Sequence, residues 1–267
     1  DTFICDLNGK TVVLNKNATV DIVKATTATG VLTVSATRTL TAAIQYSSTS
    51  SSGMVQVSGA GVSFTTTSVS NTSTGYALLC SATGTLTINA GAGNTAVTNS
   101  GSGTGRAVHI SGAATLSVTG NIVTGGVGYC IVIGAAVTGT INGNVSDSGS
   151  TYANAVWNNN ASAVVTINGT VTCTSTSATG LIVFSAGTVT INDTVSCSSS
   201  GYAVVPTGST TVNITKSGGT AISNTGSGSC LYQTSASTST ITGAISNTGS
   251  GSGSAVYINH ASASCTI

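Results

Sequence analysis

Few side chains in this chain are equipped for catalysis. Its carboxylates are five aspartates, at 1, 6, 21, 147 and 193, and its two histidines are His109 and His260. Glycoside cleavage needs two carboxyl groups flanking one bond, and no two of these aspartates share a face of neighbouring repeat units, Asp147 and Asp193 lying two units apart. A serine or cysteine nucleophile needs a base within hydrogen-bonding reach, and neither histidine has a cysteine beside it in the repeat order. No GxxxxGK[ST] phosphate loop occurs. The chain therefore reads as non-enzymatic, with no cofactor and no catalytic or metal-binding residue to nominate.

The seven cysteines, at 5, 80, 130, 173, 197, 230 and 265, lack the CxxC spacing of a zinc site. Cys173 and Cys197 are the informative pair, because each follows a valine by two residues in the adjacent segments VTC and VSC. They are expected to stack in one inward column as a candidate disulfide, with buried free thiols as the alternative. The odd total leaves at least one thiol unpaired within the chain or joined to another chain.

These residues sit in a sequence dominated by small polar side chains and glycine, yet 40% of it is hydrophobic. Valine, isoleucine and leucine recur in short alternating groups, which argues for strands and against disorder. No apolar run is long enough to span a bilayer. Four lysines and two arginines give a formal net charge of +1, too little to neutralise a run of phosphates, so nucleic acid is not an expected partner. Seven of the eleven charged residues lie before residue 39, as a solvated first coil would have it.

A repeat organises the rest. A glycine or small residue precedes a short strand at VLTV (31–34), MVQV (54–57), YALLC (76–80), RAVHI (106–110), YCIVI (129–133), NAVWN (154–158), LIVFS (181–185), YAVVP (202–206), CLYQT (230–234) and SAVYI (254–258). FICD (3–6) extends this series backwards. A second strand follows in each unit, among them TVVL (11–14), TLTI (85–88), VVTI (164–167) and SCTI (264–267), and a third often follows an Asn-Gly, Asn-Asp or Thr-Gly corner, as in INGTVTC and INDTVSC. Glycine at 143, 169 and 243 fits a positive φ at these corners, and Asn142, Asn168 and Asn192 fit backbone hydrogen bonds at the bend. The insertion NAGAGN in the longest unit reads as a loop that leaves the register intact.

A β-sandwich would also use short strands, but it does not require one strand grammar to return about ten times. The fold expected is all-β: a single parallel β-helix, or β-solenoid, of about ten coils of roughly 25 residues with three strands per coil, spanning 1–267 as one domain. Its first coil would be polar and charged and its last incomplete. The units resemble those of right-handed parallel β-helix proteins, especially the Ser/Thr/Gly/Asn-rich extracellular passenger, adhesin and fibre-subunit type. That resemblance implies right-handedness and a secreted or cell-surface location.

Strand alternation then predicts two working faces. The outward column of the first strands reads Gln56, Leu79, His109, Val132, Trp157, Phe184, Val205, Gln233 and Tyr257, an apolar row that calls for cover by another subunit or by the protein's own linkers. Its members Leu79, His109, Val132, Trp157, Phe184, Val205 and Tyr257 form the candidate assembly face. The second strands present Thr39, Thr41, Thr65, Thr85, Thr87, Thr115, Thr138, Thr140, Thr166, Thr188 and Thr190, a Thr-x-Thr ladder similar to those of β-solenoid ice-binding proteins. Threonine also favours strands for steric reasons alone. The leading expectation is an extracellular fibre built from copies of the chain, head-to-tail and laterally; the alternatives are ice binding through the ladder and a surface adhesin that binds glycans.

Overall fold

A computed structural model of the chain describes residues 4–7, 10–25, 31–34, 36–46, 55–58, 60–81, 83–126, 128–149, 154–174, 179–183 and 186–267. Among them there are strands, turns and bends but no helix, and every strand pairing is parallel. The strands gather into an eleven-stranded and an eighteen-stranded sheet. Each strand of the smaller sheet pairs with its counterpart one coil away, 20 residues on at Val12 and Leu32 and 30 on at Leu78 and Val108. This is a parallel β-solenoid.

The short strands follow from the alternation of side chains. In Leu78–Cys80, Val108–Ile110 and Ile131–Ile133 the outer two residues point inward and are fully or almost fully buried. In the larger sheet Leu86, Leu116, Val165, Val189 and Val212 do the same from the second strands. These columns form one continuous apolar core along the solenoid axis. Three strands per coil are thus present, but the second and third belong to one bent sheet. The corner between them is a register irregularity in some coils, as between Thr215 and Thr220.

Corner chemistry differs in part from the sequence reading. Gly243 has a positive φ of 123°, whereas Gly143 and Gly169 do not. Their need for glycine is spatial: a Cβ on Gly143 would lie 2.2 Å from the Gly120 carbonyl oxygen, and one on Gly169 would lie 2.4 Å from that of Gly143. Nor do the corner asparagines bond to backbone at the bend. Asn168 Nδ2 donates to Asn142 Oδ1 at 2.8 Å and Asn192 Nδ2 to Asn168 Oδ1 at 2.7 Å, giving an amide ladder up the edge. The NAGAGN segment closes as a turn in which Asn94 Nδ2 donates to the Ala90 carbonyl, and pairing resumes at Thr95 and Asn121.

The first coil is phased differently from the sequence alignment. Ile4–Asp6, within FICD, pairs with Ile22–Lys24 in the larger sheet, and Thr11–Val13, within TVVL, pairs with Val31–Thr33 in the smaller one. Cys5, the middle residue of Ile4–Asp6, is exposed, so the apolar spacing of FICD does not mark an inward face there.

Candidate functional site

The threonine face is built by the second strands, whose inward residues anchor them in the core and leave the alternate residues outside. One column runs Thr85, Thr115, Thr138, Val164, Thr188, Thr211, Thr238 and Ser264, each directly opposite the next. The second runs Thr87, Ser117, Thr140, Thr166, Thr190, Asn213, Thr240 and Thr266 in the same registers. Ser117, Val164, Asn213 and Ser264 are the departures from threonine in these two columns. Neither column holds a charge, and the most exposed apolar member is Val164 at 50%. A shallow trough of about 500 Å³ runs beside the face, lined by Thr83, Thr85, Thr115, Thr138 and Ser162 among others.

At the start of the ladder the register is two residues off the sequence alignment. Thr39 stands opposite Thr65, which in turn stands opposite Thr87, and Thr41 pairs with Thr19. Thr39 therefore joins the second column and Thr41 falls outside the two-column face. Because the shift is an even number of residues, both threonines still point outward, which is why hydropathy could not detect it.

The other outward faces have different compositions. In the smaller sheet Leu79, His109, Val132 and Trp157 are register partners, continued by Ile182 and Val205. Ile182 takes the place assigned to Phe184, which lies outside the described residues. Tyr232 pairs with Tyr257, and Gln233 points inward instead of out. Its buried amide donates to the carbonyls of Ser237 and Ser264 and accepts from the Ser239 hydroxyl, so a polar residue sits in a core position with its hydrogen bonds satisfied.

Most of this stripe is covered by the protein itself. Val132 is only 4% exposed. Tyrosines two positions before a strand lean diagonally onto the ring of the next coil: Tyr76 meets His109 edge-on at 5.4 Å, Tyr129 meets Trp157 at 4.7 Å, and Tyr202 stacks on Tyr232 at 4.3 Å. The Arg106 guanidinium lies over Tyr76 and Tyr129. Burial, with the Arg106 charge adding to it, lowers the His109 pKa to about 4, so its imidazole is neutral at physiological pH.

Cys173 and Cys197 are register partners in one inward column, but no disulfide joins them. In-register residues of parallel strands hold their Cβ atoms near the strand spacing of about 4.8 Å, beyond the roughly 3.5–4.5 Å that a disulfide requires. Cys173 Sγ donates instead to Asp147 Oδ2 at 3.5 Å, and the Cys197 sulfur lies 3.1 Å from Ser199 Oγ. Among the described residues no group of three or more His, Cys, Asp or Glu side chains is placed to hold a metal ion, and no helix is long and apolar enough to cross a membrane.

One interior feature escaped the sequence reading. The cysteine column continues as Asn71, Asn99, Thr124, Asp147, Cys173, Cys197 and Asn224, a buried polar spine within the core. Its asparagines hold the following turn: Asn99 Nδ2 donates to the carbonyls of Gly75 and Arg106, and Asn99 Oδ1 accepts from Gly101 N–H. The recurring Asn-x-Gly at 99–101, 224–226 and 247–249, with Asp-Ser-Gly at 147–149, was the available signal. Asn71, the first residue of a glycosylation sequon, is consumed by the same role and is fully buried. Comparisons with protein-family models, curated proteins and solved structures found no match to the chain.

Proposed function

We propose that this is a non-enzymatic, secreted or cell-surface solenoid whose working surface is the Thr-x-Thr face, and that this face binds ice. The supporting observation is segregation. If threonine were present only because it suits strands, it would spread over every outward face. Instead it fills most of the two second-strand columns, occurs only as Thr33 in the described first-strand column that continues as Gln56, Leu79, His109, Val132, Trp157, Ile182 and Val205, and is a minority on the third strands, where Thr98 and Thr172 stand among Ser70, Val123, Ser146, Ser196, Ser223 and Ser246.

The face has the geometry for holding a sheet of ordered water. Hydroxyls recur about every 7 Å along a strand and about every 4.8 Å along the axis, while the methyl groups between them restrict free hydration. Binding then depends on a continuous area and not on any one residue. Lysine at Thr87, Thr140 and Thr190 together should abolish ice shaping and thermal hysteresis while leaving the circular dichroism spectrum unchanged. Unmodified protein that neither shapes ice nor depresses its growth temperature would sink the reading.

Self-association into a fibre is the second reading. It is favoured by the exposed end of the stripe, Tyr257, which keeps 38% exposure although its ring stacks on Tyr232. Electron microscopy at increasing protein concentration separates the two, since an ice binder needs no filaments.

A further inference from the structure

On the smaller sheet, away from the threonine face, three tyrosines make a continuous stack. Tyr202 and Tyr232 lie 4.3 Å apart with 14° between their planes, and Tyr232 and Tyr257 lie 5.0 Å apart at 9°. The stack forms one wall of a groove of about 550 Å³, within the range of small-ligand sites. The rest of its lining comes from the linkers that precede these strands, with Gly228, Ser252 and Gly253 among them.

At the glycines of these linkers the backbone leaves no room for a side chain. A Cβ on Gly228 would lie 2.0 Å from the Gly201 carbonyl oxygen, and one on Gly253 would lie 2.2 Å from that of Gly228. The linkers therefore stack too closely for side chains at these positions, and Ser254 N–H donates to Ser229 Oγ across coils at 3.0 Å. The groove is consequently preformed, and a ligand would not have to order it.

We propose that this groove is a binding site for a neutral oligosaccharide. Every lining residue is serine, glycine or tyrosine, so no side chain is present to pair with a charged ligand. Serine and phenol hydroxyls both donate and accept, as a polyol requires. The stacked rings cover each other's faces, so what they offer a sugar is a row of ring edges and phenol hydroxyls. Because the wall repeats over three coils at about 4.8 Å per coil, it suits an elongated chain of linked sugars better than a single one. This site is independent of ice binding, since it uses neither the residues nor the sheet of the threonine face.

Calorimetric titration of the full chain with cellohexaose, xylohexaose, mannohexaose, maltohexaose and chitohexaose, with polygalacturonate as an acidic comparison, tests the proposal. At least one neutral hexasaccharide should bind saturably. Its affinity should fall about tenfold or more in Tyr232→Ala, which removes the central rung of the groove. Ser252→Trp, which fills the groove from the exposed linker and leaves the stack untouched, should also abolish binding with an unchanged circular dichroism spectrum. Failure of all five to bind, preference for polygalacturonate, or binding that survives Ser252→Trp in folded protein would each overturn it.

Discussion

At the scale of single residues, His109 shows how an outward position can behave as an interior one. It points away from the core, yet Tyr76 packs against it and burial holds its pKa near 4. An unfolded histidine titrates near 6.5. Between about pH 6.5 and pH 4 the unfolded chain therefore takes up a proton that the folded chain refuses, and stability must fall as the pH drops through that window. Above it the contribution is fully present. Partial exposure limits the loss to no more than about 3 kcal/mol. Urea unfolding at pH 7 and pH 4.5 should show the drop, and His109→Phe should flatten it; an unchanged slope in that variant would show that other groups carry the dependence. Cysteine gives the opposite lesson. The column containing Cys173 and Cys197 was legible from VTC and VSC, but the bond was not, because strand spacing fixes where two sulfurs stand and composition does not express it.

At the scale of the coil, what secures each turn is the buried spine and not the visible corner. Asn99 satisfies two carbonyls and one N–H in a place that water does not reach. Asn99→Ala leaves those groups unpaired, so a loss of about 3 kcal/mol is expected in urea unfolding. Asn94→Ala removes a single exposed hydrogen bond to Ala90 and should cost less than about 1 kcal/mol. Equal losses would show that the spine contributes no more than a surface loop. This contrast also marks the limit of what alternation could reveal. Strands such as Val108–Ile110 and Val164–Ile167 were readable because apolar residues recur at every second position, as at Val165 and Ile167. Gln233 and Asn99 are polar residues at inward positions, and a hydropathy pattern assigns them to solvent. The Thr41 misplacement is of a third kind, since a slip of two residues preserves every inward and outward assignment.

For the whole molecule, the coil is the unit of both stability and surface. Each coil contacts only its neighbours, so removal of one complete coil should subtract one set of contacts without disturbing the rest. Thr138 and Val164 occupy equivalent positions in successive coils, as do Thr140 and Thr166. Deleting residues 138–163 therefore joins Val137 to Val164 with every column still in line: Thr115 meets Val164 and Ser117 meets Thr166. The shortened protein should fold, with the same strand signature by circular dichroism and a lower urea midpoint. A deletion of half that length, 138–150, would bring strands of the larger sheet against linker residues and should abolish the cooperative transition. The two deletions also bear on the threonine face. If binding depends on continuous area, loss of the rung Thr138 and Thr140 by excision of its whole coil should reduce thermal hysteresis only in proportion to the shorter face. Lysine placed on that same rung should break the face into two and reduce hysteresis by more, although no coil is lost. Equal effects from excision and from lysine would mean that area is not what the face contributes.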